Sequence, residues 1–351
     1  MGAAIKLFVP GRICLFGEHS DWAGGLGKHR GFCLVVGTDQ GLSATARAAK
    51  AFAVETPVSN VIGDRRTRQM GCPAAKTNLL CAAQDRDEFF RYCAGTAYAM
   101  MDRHDVGGLD LRITMMDLPL KKGVSSSAAV CILVAKAFDA VYDLGLFPHE
   151  LLDIAYTGER LTGSQCGRMD QACIYGKTPM LLSFDSSGIL TEPAFPVRRM
   201  DLFFVDLAGE KDTVQIIDDL RTAYPKQAVL REALGENNEK IVRCAYRALN
   251  TGNAKGLGRL MTMAQENFDR SVAPFSLEQL TSPRLHELLA FAEGTGYVYG
   301  GKGVGSQGDG TAQFVAHGNA ERDEAMARIE ETFPQMQCFP LTIFPSVYVA
   351  E

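Results

Sequence analysis

Read for the spacing of its apolar and polar positions, the chain opens with two strand-like segments, 5–16 and 31–49, in which Val, Ile, Phe, Leu and Thr run between glycines. A third, LDLRITM at 109–115, alternates with period two, and 86–103 before it has helical spacing. From Ser125 to about Leu144 the period is again helical, with Lys136, Asp139 and Asp143 on the face expected to be wet. A second helix is predicted over 149–162. PMLLSFD and MDLFFVDL read as strands flanking a Pro-containing loop near 188–198. That loop marks the predicted boundary between an N-terminal domain, 1–195, and a C-terminal domain, 196–351. Beyond it the pattern predicts helices at about 212–222, 226–250, 254–271 and 283–294, and strands at about 297–300, 311–317 and 340–349. Strands and helices do not alternate one for one, so the expected class is α+β in two layers rather than a doubly wound parallel sheet.

Composition then narrows the partners. A chain of 351 residues with 46% hydrophobic content can build a sizeable core. The 36 basic and 41 acidic residues are mixed without a Lys/Arg block and leave a net charge of -5, which points away from nucleic acid and from anionic membranes. Ten cysteines are scattered, with no CxxC pair and no His at zinc-ligand spacing, so reduced thiols are expected. The N-terminus lacks the pattern of a signal peptide, and the longest apolar stretch, 128–135, is too short to span a bilayer. The expectation is a cytoplasmic protein acting on a small-molecule ligand.

Three segments carry candidate chemistry. In PGRICLFGEHSDWAGG, residues 10–25, an apolar run hands over to Glu18, His19, Ser20 and Asp21, followed by the only tryptophan, Trp22. A turn can use a Ser and an Asp but has no need of all four, so the stretch is either a solvated loop or a wall facing a ligand. In LPLKKGVSSSAAV, residues 118–130, a glycine and three serines open the long helix. Helix N-termini present unpaired N–H groups and positive dipole density, so Ser125, Ser126 and Ser127 can cap the helix, cradle phosphate or ligate Mg²⁺. Helix 149–162 carries Glu159, and eleven residues on comes Asp170, among small and apolar neighbours. Such carboxylates are tuned for proton transfer or metal binding, or else Asp170 caps a following helix and Glu159 is a surface charge. GGKGVGSQGDG at 300–310 fits GxGxxG from Gly303 to Gly308, but the strand-like TAQFVAHG follows it where a dinucleotide fingerprint requires a helix. No GxxxxGK[ST] occurs, and the protein-kinase signatures are missing.

With these segments in their order, the sequence resembles the GHMP small-molecule kinases, nearest to galactokinase-like sugar kinases. GRICLFGEHSDWAGG is similar to the galactokinase signature, GVSSSAAV to the second motif, GERLTGSQCGRMDQ to the segment with the magnesium-binding glutamate and catalytic aspartate, and GYVYGGKGVGSQGDGTAQF to the third motif. The likeness runs from residue 10 to about 316. It implies a two-domain α+β fold, ribosomal protein S5 domain 2-like in its N-terminal half and ferredoxin-like in its C-terminal half. It implies an ATP-dependent kinase with Mg²⁺, in which Asp170 takes or orients the proton of a substrate hydroxyl and Arg12 pairs with it or stabilises the transferring phosphoryl. Glu18, His19, Asp21 and Gly25 fall where galactokinase grips sugar hydroxyls. Gly123, Ser125, Ser126, Ser127, Ala128, Lys302 and Gly305 fall on the ATP side, and Ser127 and Glu159 match the metal ligands. The implied protein is a monomer or homodimer that phosphorylates a sugar or polyol. Alternatives within the resemblance are a mevalonate-type kinase and a non-catalytic sugar-binding regulator; Asp21, where mevalonate kinases are apolar, favours a sugar. The chain departs from the galactokinase pattern at Trp22, a tyrosine there, in the insert LGKHR, and at Val304, Gln307 and Asp309, a threonine and two glycines there.

Overall fold

The computed structural model describes residues 4–26, 29–57, 66–118, 126–186 and 188–346. In chain order these form β1 (Ile5–Phe16), α1 (Ser20–Leu26), β2 (Gly31–Ala49), β3 (Ala51–Pro57), β4 (Thr67–Pro73), α2 (Lys76–Gln84), α3 (Arg91–Arg103) and β5 (Gly108–Met116). There follow α4 (Ser126–Tyr142), α5 (Pro148–Leu161), a 3-10 turn (Asp170–Tyr175), β6 (Met180–Asp185), β7 (Gly188–Pro193) and β8 (Met200–Asp206). The remainder is helix-rich: α6 (Thr213–Ala223), α7 (Ala228–Glu232), α8 (Asn238–Asn250), α9 (Ala254–Ser271), α10 (Leu277–Leu280) and α11 (Pro283–Gly294). The chain then closes with β9 (Val298–Gly303), β10 (Thr311–Ala316), α12 (Asn319–Thr332) and β11 (Gln337–Ile343). No helix among the described residues is long and apolar enough to cross a membrane, and all ten cysteines are unpaired.

The elements gather into two compact units, each built from two stretches of chain: 1–12 with 40–176, and 13–39 with 177–351. In the first unit the second half of β2 pairs antiparallel with β5, β5 pairs parallel with β3, and β3 forms an antiparallel pair with β4. α4 is deeply buried, through Ala128, Ala129, Cys131, Ile132, Leu133, Val134, Ala135, Ala137 and Phe138. α5 starts with Pro148 in its first turn and the Glu150 carboxylate accepting the Phe147 amide at 2.8 Å.

In the second unit the first half of β2 pairs antiparallel with β6, and β6 with β7. A separate antiparallel sheet has the order β11-β8-β10-β9. Phe203, Val205 and Phe314 of that sheet pack under Leu285, Leu288 and Ala292 of α11 and Ala325 and Ile329 of α12, giving a two-layer α+β core. A second cluster joins Ala23 of α1 to Ile216 and Leu220 of α6, Leu230 of α7 and Phe268 of α9.

Several sequence expectations shift. The proline-containing segment near 188–198 is largely strand β7, since Pro193 ends an edge strand whose outer N–H has no ladder partner to lose. The units accordingly change at 176/177, and at 12/13 and 39/40, whereas the sequence places one boundary after 195; β6 and β7 belong with the first half of β2. The helix expected from 86 starts at Arg91, and the last strand, expected over 340–349, begins earlier and occupies 337–343, with 347–349 lying outside the described residues. α1, α2, β3, β4, α10 and α12 have no counterpart in the sequence reading. α12, NAERDEAMARIEET, buries only Arg322, Ala325 and Ile329, too few positions to set an apolar period.

Candidate functional site

In the first unit β1 carries Arg12 into the interior, where it is 2% exposed and its Nη2 donates to Asp170 Oδ1. Asp170 opens the 3-10 turn and keeps 27% of its side chain accessible. The pair is therefore dry on the cationic side and reachable on the carboxylate side, which suits an acceptor that orients an incoming hydroxyl.

Beside it Ser127, in the first turn of α4, donates from Oγ to Glu159 Oε1 at 2.8 Å, and Gln171 Nε2 donates to Glu159 Oε2 at 2.8 Å. Ser164 Oγ lies 3.4 Å from Oε1. Glu159 is 1% exposed at the end of α5, and burial together with the Asp170 charge pushes its carboxyl up to about 7, against the pull of these three hydrogen bonds. Its burial depends on a close helix crossing: a Cβ on Gly158 would stand 2.5 Å from Thr96 Cα of α3. Hydroxyl and carboxylate oxygens form the donor set a hard cation prefers, and a cation would offset the charge that burial disfavours. Among the described residues no group of three or more His, Cys, Asp and Glu is placed to hold a metal, so Ser127 and Glu159 would supply only part of a coordination shell.

Ser126 lies with Ser127 in the first turn of α4, and the Ala128 side chain is fully buried behind them. Gly123 and Ser125 lie outside the described residues.

In the second unit Gly17 turns the chain out of β1 at φ 98°, where a side chain would meet the Phe32 carbonyl oxygen at 2.0 Å. His19 follows with φ 64°, a left-handed conformation unusual for a non-glycine residue. The polar run divides by role. Ser20 is wholly buried and its Oγ lies 2.7 Å from both the Gly17 and Phe32 carbonyl oxygens, so it fastens the turn. Glu18 is also buried, and its Oε1 accepts from Lys302 Nζ, which gives a second hydrogen bond to the Gly303 carbonyl at 2.6 Å. Lys302 is 1% exposed, so the sequence assignment of Glu18 to sugar and Lys302 to ATP meets a structure in which the two side chains hold each other.

His19 accepts from Trp22 Nε1 at Nδ1, 3.2 Å away, which leaves Nε2 to donate toward the Ser306 carbonyl at 3.4 Å. Its ring stacks on Phe268, with centroids 6.0 Å apart. Burial holds the imidazole down at about 4, and the charges of Lys211, Arg221 and Lys302 act in the same direction, against the hydrogen bond to Ser306. Asp21 is half-buried in the first turn of α1, while Gly25 lies on its exposed end with open space around it.

The third glycine segment joins β9 to β10 as a strand-turn-strand, which disposes of the dinucleotide match. Gly305 turns this loop at φ 69°. The three departures are all structural: Val304 is core, Gln307 folds inward over Gly303 at 1% exposure, and Asp309 accepts the Leu285 amide of α11 at 3.0 Å. The loop is tied from the other side by Lys211 Nζ on the Gln307 carbonyl at 2.7 Å and by Thr213 Oγ1 at 3.0 Å from Ser306 Oγ. Gln171, Lys211, Arg221 and Phe268 escape the sequence reading. Only Gln171, directly after Asp170 in an otherwise apolar turn, left a local signal.

Residues 91–177 match the family model described as GHMP kinases N terminal domain. The galactokinase of Roseiflexus sp. (strain RS-1) is 24% identical over 359 residues, which is 89% of this chain and 84% of the relative. The solved galactokinase of Lactococcus lactis complexed with galactose has a TM-score of 0.75 at 19% identity, covering 98% of this chain and 94% of its own. The mevalonate kinase of Methanococcus jannaschii has a TM-score of 0.74 at 17% identity, covering 98% and 99%. The shared fold is thus the two-domain α+β fold of these kinases.

Proposed function

The chain belongs to the GHMP kinase superfamily, and from that premise we propose that it transfers the γ-phosphate of ATP to an anomeric or ring hydroxyl of a monosaccharide or related polyol. The observation that carries the reading is the Arg12–Asp170 pair set beside the Ser127–Glu159 pair in one unit. Phosphoryl transfer depends on positioning and charge compensation more than on covalent chemistry. Asp170 accepts or orients the substrate hydroxyl's proton, and Arg12 supplies the counter-charge that keeps this carboxylate in place. The first turn of α4 offers unpaired amides and positive dipole density to the ATP phosphates. Ser127 and Glu159 would hold Mg²⁺, which when bound neutralises phosphate charge. His19 and Asp21 offer hydrogen-bonding groups to the polyol.

ADP release from Mg·ATP across hexoses, pentoses, uronic acids, heptoses, inositols and mevalonate tests the reading. A saturable hit is expected with the wild type. Asp170→Asn is expected to lose turnover yet retain nucleotide binding, and near-wild-type turnover in that variant would remove Asp170 from the mechanism.

A further inference from the structure

Cations surround His19 of the proposed polyol wall. Lys211, Arg221 and Lys302 all act on His19. Lys302 is matched by Glu18, and Lys211 is engaged with the Gln307 carbonyl. Arg221, on α6, is different. Its guanidinium carbon lies 5.6 Å from the centre of the Trp22 ring, its Nε is buried without a hydrogen-bond partner, and it forms no ion pair among the described residues. On α6, Asp219 accepts from Ser276 Oγ and Gln215 Nε2, and Asp212 at its N-terminus accepts the Val214 and Gln215 amides. Arg221 is half-buried, and a buried guanidinium N–H without an acceptor is costly, so a ligand that brings an anion to this side chain supplies the missing partner. The guanidinium lies within cation–π range of the Trp22 ring, and its fork matches a carboxylate or phosphate.

We infer that Arg221 determines specificity at this site and that the accepted sugar or polyol carries an anionic substituent, a carboxylate or a phosphate. The inference rests on the proposed polyol wall but not on phosphoryl transfer itself. Trp22 is the only tryptophan in the chain, touches both Arg221 and His19, and so provides a binding signal independent of turnover.

The test titrates the protein, followed by Trp22 fluorescence, with D-galacturonate and D-glucuronate, with D-galactose 6-phosphate and D-glucose 6-phosphate, and with neutral D-galactose and D-glucose. At least one anionic series is expected to bind about tenfold or more tighter than its neutral parent, the size of one charge-assisted hydrogen bond. The uronate and phosphate arms separate the two sources of charge. Arg221→Gln is expected to erase this preference and leave neutral binding little changed, while Arg221→Lys retains part of it. Equal binding of neutral and anionic sugars by the wild type, or an equal loss for both in Arg221→Gln, would overturn the inference. ADP release measured on the same sugars separates the two claims. An Arg221-dependent ligand that supports no turnover defeats the kinase reading alone, and an anionic sugar phosphorylated equally by wild type and Arg221→Gln, and no better than its neutral parent, defeats the specificity claim alone.

Discussion

His19 stays neutral in the folded protein down to about pH 4, because it is buried and three cations lie around it. In the unfolded chain the same side chain protonates near the ordinary value of 6.5. Between these values the unfolded state holds a proton that the folded state does not. Its contribution is therefore fully present above about pH 6.5 and is lost as pH falls toward 4, a total on the order of 3 kcal/mol. Urea unfolding at intervals from pH 7 to pH 4 is expected to show a steeper loss of stability in the wild type than in His19→Gln; parallel curves would contradict the buried neutral imidazole. This residue was legible in the sequence as part of a motif, and its partners were not. Glu18, His19 and Ser20 stand side by side in the chain, yet one pairs with Lys302, one with Trp22 and the Ser306 carbonyl, and one with its own turn. Lys302 and Ser306 lie more than 280 residues away in sequence, and no local pattern specifies such a meeting.

A helix that brings a carboxylate into a dry site has to approach its neighbour closely, and α5 does so at Gly158 against Gly95 and Thr96 of α3. Two opposing effects bear on Gly158→Ala. Helix propensity favours alanine by up to about 1 kcal/mol, whereas a Cβ placed 2.5–2.7 Å from three atoms of Thr96 forces the helices apart, and overpacking of that kind costs about 1–3 kcal/mol. The steric effect is expected to win because two of the three atoms are backbone. Chemical denaturation should show net destabilisation, and a more stable variant would mean that the crossing relaxes freely. α5 was visible in the sequence from its 3.6-residue period, as were α4, α9 and α11, whereas β1 and β2 were visible as apolar runs between glycines, buried at consecutive positions. β4 was not, because it is exposed or half-buried along its whole length, and the reading of residues near 188–198 weighted proline over the pairing that makes β7.

At the scale of the whole molecule, the chain enters each compact unit twice, and this is what the sequence concealed: a composition shift marks a place in the chain, whereas a unit is defined by which distant stretches pack together. The order of the chain has a consequence for fragments. A protein cut after residue 195 leaves 196–351 with both layers of the four-stranded sheet and its helices, but without residues 13–39 and 177–195 of the same unit. Ile216, Leu220 and Phe268 then lose Ala23 from their cluster, and Gln313 loses the Cys14 and Leu15 carbonyls that accept its buried amide at 2.8 and 3.1 Å. A buried donor left unsatisfied costs about 1–3 kcal/mol, a large share of the 5–15 kcal/mol or so that typically holds a domain folded. Fragment 196–351 is therefore expected to show helical circular dichroism with a broad, weakly cooperative thermal transition, against a sharp one for the intact chain. Restoring residues 13–39 and 177–195 by linking them to the fragment is expected to bring the sharp transition back. A fragment that melts as sharply as the whole protein would show that the four-stranded sheet and its helices fold without the interleaved stretches.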